Sequence, residues 1–196
     1  MRKKLVSILC VMALVVSLAG CGGGGSDSGS DGGGAEATTA GDVSDSIVRY
    51  TLTELPQIDP GVTSDFGGAT VLVNVYDPLV MPTVDGGVEP WVATEWSTSE
   101  DGLTWTFKIR DDITFHSGNP LTAEDVAYTM NRMLTLGEGF GYLFTETVEE
   151  AVAVDDTTVE FRCKEANGTL LSALVRLYIV DSELVQSEYA DGDYGD

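Results

Sequence analysis

The sequence predicts an α+β fold, and three observations carry that prediction. Residues 103–109 alternate Leu103, Trp105, Phe107 and Ile109 against Thr104, Thr106 and Lys108, the two-residue period of a half-buried strand. Residues 148–154 and 158–163 flank Asp155-Asp156, so they read as a β-hairpin closed by turn residues. Between these strands stands one amphipathic helix. Thr122 is its expected N-cap, Asp125 three residues on fits a capping box, and Glu124 and Asp125 suit the positive end of the helix dipole. Val126, Met130, Met133 and Leu134 then fall on one face at helical spacing.

The other elements follow in chain order. Arg2-Lys3-Lys4 and the apolar run of residues 5–18 form the charged and hydrophobic regions of a secretory signal, residues 1–20. Leu18-Ala19-Gly20-Cys21 has the small residues of a bacterial lipoprotein box, which makes Cys21 the expected lipidation site. The apolar run is short for a lasting membrane span. Residues 21–46 are Gly, Ser, Asp, Ala and Thr with almost no bulky apolar side chain. Such a segment cannot bury enough surface to offset its ordering entropy and is expected to be a flexible tether.

Ordered structure is expected from an alternating strand at residues 47–53, followed by a Gly-containing loop at 61–69. Residues 70–76 are read as helix, although their Val-rich composition suits a strand as well. Asp85-Gly86-Gly87 and Ser99-Glu100-Asp101-Gly102 are turns, and residues 113–115 a short strand before Ser117-Gly118-Asn119-Pro120 turns the chain into the helix. Residues 137–141 are a breaker-rich loop. A short helix is expected at 169–177, and Asp181 or Ser182 caps another running to about Tyr189.

Charge and cysteine usage narrow the function. The chain has 10 Lys and Arg against 32 Asp and Glu, a net charge of −22. Three of the ten basic residues lie in the leading segment, so the remainder is more acidic still, which argues against nucleic-acid binding. Of the three cysteines, Cys10 leaves with the signal and Cys21 takes the lipid. Cys163 then remains, on the apolar register of Val159 and Phe161, and is expected to be a small buried apolar residue. His116 is the single histidine, with no nucleophile beside it for a triad and no companions for a metal site. Pairs such as Asp111-Asp112 are turn residues before they are acid–base pairs. No enzymatic centre, metal site or cofactor is expected.

The middle of the chain resembles the signature region of the family-five solute-binding proteins of ABC importers, which bind dipeptides, oligopeptides or nickel. The matching stretches are Pro90-Trp91-Val92-Ala93-Thr94-Glu95-Trp96, the run from Ser99 to Arg110, Phe115-His116-Ser117-Gly118 and Pro120-Leu121-Thr122-Ala123-Glu124-Asp125-Val126. Ile58-Asp59-Pro60 is similar to the family's approach to its binding cleft, and Val75-Tyr76-Asp77-Pro78-Leu79-Val80 to a further family segment. The resemblance implies a partial first lobe of a two-lobed periplasmic-binding-protein-like fold (type II, cluster C), with the second lobe absent. In that frame residues 47–80 begin the lobe-one sheet and cleft loop, 81–180 form an α+β subdomain, and 181–196 return toward lobe one. The family continues for several hundred residues beyond this point, so the chain reads as an N-terminal fragment.

The same resemblance implies function. An exported, lipid-anchored protein on the outer face of the membrane (or in the periplasm) captures a peptide, or another small solute such as a nickel chelate. It passes that solute to the permease subunits of an ABC importer, and is expected to act as a monomer. Ligand contacts are implied in the loop 63–70 (Phe66, Gly67, Thr70), after the signature helix (Phe140, Tyr142) and at Arg176 and Tyr178. Arg176 is either a partner for a ligand carboxylate or a surface arginine. Phe140 and Tyr142 either line a cleft or pack in the core. The alternative function is a structural or degenerate surface lipoprotein that binds nothing.

Overall fold

The computed structural model describes Thr51 and residues 57–188, all within the unit Tyr50–Asp196. In chain order the elements are α1 (Phe66–Val75), β1 (Val80–Pro82), β2 (Val88–Pro90), β3 (Ala93–Thr98) and β4 (Thr104–Ile109). Then come α2 (Ala123–Leu136), β5 (Val148–Asp155), β6 (Thr158–Cys163), α3 (Leu170–Ala173) and α4 (Ser182–Glu188). Single 3-10 turns occupy Gly141–Leu143 and Leu174–Arg176.

The four longer strands form one antiparallel sheet in the order β3-β4-β6-β5. The alternation read in residues 103–109 decides its faces. Trp105 lies opposite Phe161 and Phe107 opposite Val159, and Phe107 and Phe161 are both fully buried with ring centroids 5.2 Å apart. Trp105 stacks on Phe107 at 6.2 Å. Cross-strand aromatic pairs of this kind are the unit from which sheets gain stability. Cys163 is buried in the same core, and burial pushes its thiol above the ordinary value.

Helix α2 covers β5 and β6, with Val126, Met130 and Met133 in the core. Its start is built as the sequence implies. Asp125 accepts hydrogen bonds from the backbone N–H of Thr122 at 2.8 Å and from its hydroxyl at 3.0 Å. Its end is Gly137, whose φ of 65° is the left-handed C-cap that glycine adopts without strain. Midway along, Asn131 binds the sheet edge: its amide donates to the carbonyl of Ala151 at 2.8 Å and accepts from the Ala151 N–H at 2.9 Å.

Three sequence expectations change. The glycine-containing stretch 61–69 is not all loop, because α1 starts at Phe66 with Asp65 as its N-cap, accepting from the Gly68 N–H at 3.0 Å. Gly68 sits in the helix because a Cβ there would meet the Thr63 methyl at 1.9 Å, so close packing and not a turn accounts for that glycine. Residues 113–115 form no strand. Thr114 makes one isolated bridge to Pro120, since the turn at Gly118 folds the segment back on itself through Phe115 N–H to Asn119 O at 2.9 Å. Finally, β1 and β2 form a separate two-stranded hairpin around Gly86, which the sequence showed only as a turn. The strand expected at residues 47–53 lies outside the described residues apart from Thr51.

Candidate ligand face

Four of the seven side chains implied as ligand contacts come together. Phe140, at the start of the turn after α2, and Tyr178, after the second 3-10 turn, are buried with Leu72 of α1 in a cluster distinct from the main core. The Arg176 guanidinium lies 5.2 Å above the Phe140 ring, and its Nη1 donates to the Tyr178 hydroxyl at 3.3 Å. Tyr142 approaches Phe140 at 6.5 Å between centroids and stands 63% exposed. The result is a half-buried cation held by two aromatic rings beside an exposed third. Phe140 at 8% and Tyr178 at 1% exposure are the floor of this face, whereas Arg176 and Tyr142 form its surface.

Phe66, Gly67 and Thr70 lie on α1 and not in a loop. Ala69, Leu72 and Tyr76 are the residues of this segment that pack into the cluster. Phe66 is 78% exposed at the helix start, and the Thr70 hydroxyl is spent on the carbonyl of Phe66 at 2.7 Å. Cys21 lies outside the described residues.

Sequence reasoning missed the polar bonds that hold this region. Asp59 and Arg132 form a two-point ion pair at 2.7 and 2.6 Å, with the Arg132 side chain 3% exposed and that of Asp59 30%. Burial alone would raise the Asp59 carboxyl. The Arg132 hydrogen bonds, the Gly61 N–H and the Arg132 charge outweigh it, and the net value lies below that of an ordinary aspartate. Asp181 caps α4 by accepting from the Leu184 N–H at 3.0 Å, and it also receives the Ser117 hydroxyl and the Asn119 amide. Burial raises its carboxyl too, but these hydrogen bonds hold it below the usual range. Asp181 was legible as a helix cap and Asp59-Pro60 through its family resemblance; Arg132, the partner of Asp59 73 residues away, had no signal.

A concavity of about 480 Å³, apart from that face, is lined by Ile58, Tyr76, Phe115, Ile179, Leu184 and Val185, with Asp59, Arg132 and Asp181 in its wall. Asp59, Arg132 and Asp181 are bonded to one another or to neighbouring groups, whereas Asp77, His116 and Glu188 add further polar groups to a lining that also carries several apolar side chains. Among the described residues, no group of His, Cys, Asp and Glu is placed to hold a metal ion, and no helix is long and apolar enough to cross a membrane.

The sequence profile of the family described as bacterial extracellular solute-binding proteins, family 5 (Middle), matches residues 87–196. The chain is 37% identical over 101 residues to the nickel-binding periplasmic protein of Escherichia coli (strain K12), covering 51% of this chain and 19% of that one. It is 31% identical over 158 residues to the probable D,D-dipeptide-binding periplasmic protein DdpA of the same organism, covering 77% and 30%. The crystal structure of the ABC transporter substrate-binding protein CtaP from Listeria monocytogenes superposes with a TM-score of 0.60 at 31% identity, over 69% of this chain and 28% of that one. With its profile match over more than half its length and its partial superposition, the chain belongs to the family-five extracellular solute-binding proteins. The described residues form part of a first lobe, and the chain spans about a fifth to a third of the length of these relatives.

Proposed function

We propose that the chain is the solute-capturing component of an ABC importer, held outside the cell by lipid at Cys21. Its ligand is an oligopeptide or a comparable anionic solute, such as a nickel chelate, and its partner is the importer's permease. The observation that carries this reading is the Arg176 guanidinium held over Phe140 and beside Tyr178. A cation fixed at a part-open aromatic surface is equipped to take a carboxylate from solution. Tyr142 adds an exposed ring for apolar ligand groups, and α1 supplies the adjoining wall. In a two-lobed protein such a face works by closure of an opposing lobe. The affinity of this face therefore depends on such an opposing lobe. This reading needs no enzymatic step.

Three experiments test it. Titration of the 15N-labelled chain with a mixed peptide pool should perturb Arg176, Tyr142, Phe140 and α1, with Arg176→Ala abolishing the response. Perturbations elsewhere, or none at millimolar peptide, would refute the site. Micromolar affinity by calorimetry would refute the dependence on an opposing lobe. For the anchor, Cys21→Ser should move the expressed chain from the membrane fraction to the soluble one; unchanged partition would exclude lipidation.

A further inference from the structure

Helix α2 is buried on two sides, and only one of them is apolar. Asp125, Thr129 and Arg132 follow one another at i, i+4 and i+7, so they stack in a row along the helix. They are 5%, 4% and 3% exposed. Burying three polar side chains in a row is costly unless each finds a partner, and each bonds a segment remote in sequence. Arg132 holds Asp59. The Thr129 hydroxyl donates to the Asp125 carbonyl at 2.7 Å and accepts the Val180 N–H at 3.1 Å. Asp125, beyond its capping bonds to Thr122, accepts the N–H and the hydroxyl of Ser182 at 2.9 and 2.8 Å.

The two segments so held are the ones that build the ligand face. Residues 57–63 lead directly into α1, and Tyr178 stands two residues before Val180. Packing confirms how closely they are seated. A Cβ on Gly61 would meet Arg132 Nη1 at 2.2 Å, and one on Gly139 would meet the Gly61 carbonyl at 3.0 Å. An apolar row on α2 would serve packing as well or better, since buried polar groups often add little stability over well-packed apolar ones. What hydrogen bonds add is a fixed register.

We infer that Asp125, Thr129 and Arg132 form a positioning clasp, which locks residues 57–63 and 178–182 against α2 and so sets where α1, Arg176 and Tyr178 stand. None of the three touches ligand. The purpose of the clasp rests on the ligand reading above, whereas its action is measurable with no ligand present.

The test is NMR on the whole chain carrying Thr129→Val, which keeps the side-chain shape and removes the hydroxyl, or Thr129→Ser, which restores it. In Thr129→Val the Val180 amide should exchange about tenfold faster, and the Arg176, Tyr178 and Phe140 ring signals should shift. Amides of β4 and β6 should keep their protection, and Thr129→Ser should return every signal. Unchanged Val180 and Tyr178 signals would overturn the clasp. So would equal loss of protection in β4 and β6, which marks Thr129 as ordinary core, or failure of serine to restore the pattern. If Thr129→Val does not fold, Ser182→Ala, which removes the hydroxyl donated to Asp125, is read at the Val180 amide and the Tyr178 ring in the same way. A face that binds no peptide yet still shifts in Thr129→Val would refute the ligand reading and leave the clasp standing.

Discussion

The sheet with the apolar side of α2, and the corner where α1 meets Phe140 and Tyr178, are held together by different means. In the sheet, large side chains such as Phe107, Phe161, Met130 and Met133 are almost wholly buried against one another, and strand register follows from the two-residue alternation. Among the described residues the corner's apolar cluster is small, with Leu72, Phe140 and Tyr178 buried in it. Its outer groups, Arg176, Tyr142 and Phe66, remain part or mostly exposed, and its position is fixed by hydrogen bonds from the polar row of α2. The residues that make the family recognisable thus build the scaffold, while the residues of the proposed solute face sit beside it on borrowed support.

That contrast is breakable at several points. The largest effect belongs to Phe161→Ala, which removes a fully buried ring and should cost about 3–5 kcal/mol. Urea unfolding should show sheet and corner lost together, and a corner that outlives the sheet would make it an independent unit. Next comes Asp59→Asn, expected to cost about 1–3 kcal/mol at neutral pH, reduced from the value for a fully buried pair because Asp59 is part-exposed. The sign with pH is set by the depressed Asp59 carboxyl. Its stabilisation is fully present above the unfolded value of about 4 and is lost as pH falls through the lower folded value. Thermal unfolding of the native chain and the variant should therefore converge in acid, and a gap that stays constant would mean the ion pair is not the cause.

Smaller effects probe the corner itself. Arg176→Ala removes a cation over an aromatic ring and should cost about 0.5–1 kcal/mol or less in stability, while its effect on peptide perturbations is large. Tyr142→Ala should change stability by no more than about 0.5 kcal/mol and weaken solute binding. A Tyr142 variant that is strongly destabilised would place that ring in the packing, and would shift the boundary between scaffold and face.

How much was legible follows the same line. Trp105, Phe107 and Ile109 announced β4, and Thr122 with Asp125 announced the start of α2, because those signals are local. Gly67 and Gly68 suggested a loop, because the reason for Gly68 is the Thr63 methyl beside it, which no composition reveals. Phe140, Tyr142, Arg176 and Tyr178 came from family resemblance alone, and the structure supplied the contacts among them. The pairings Asp59–Arg132, Thr129–Val180 and Asp125–Ser182 were invisible. They join residues 51–73 positions apart, and a buried polar residue on a helix carries no mark of its remote partner.

The side chain of Asn131 has a consequence of its own. Its amide presents one donor and one acceptor to Ala151, as the next strand's peptide group would, and among the described residues β5 is the outermost strand on that side. Asn131 is in effect a counterfeit rung: it occupies with a single residue the backbone groups to which another strand would pair. Aspartate lacks the donor, and glutamine places its amide one carbon too far. A change at Asn131 therefore acts on the outer rung of β5, where it would be felt between molecules, as self-association, as well as within one.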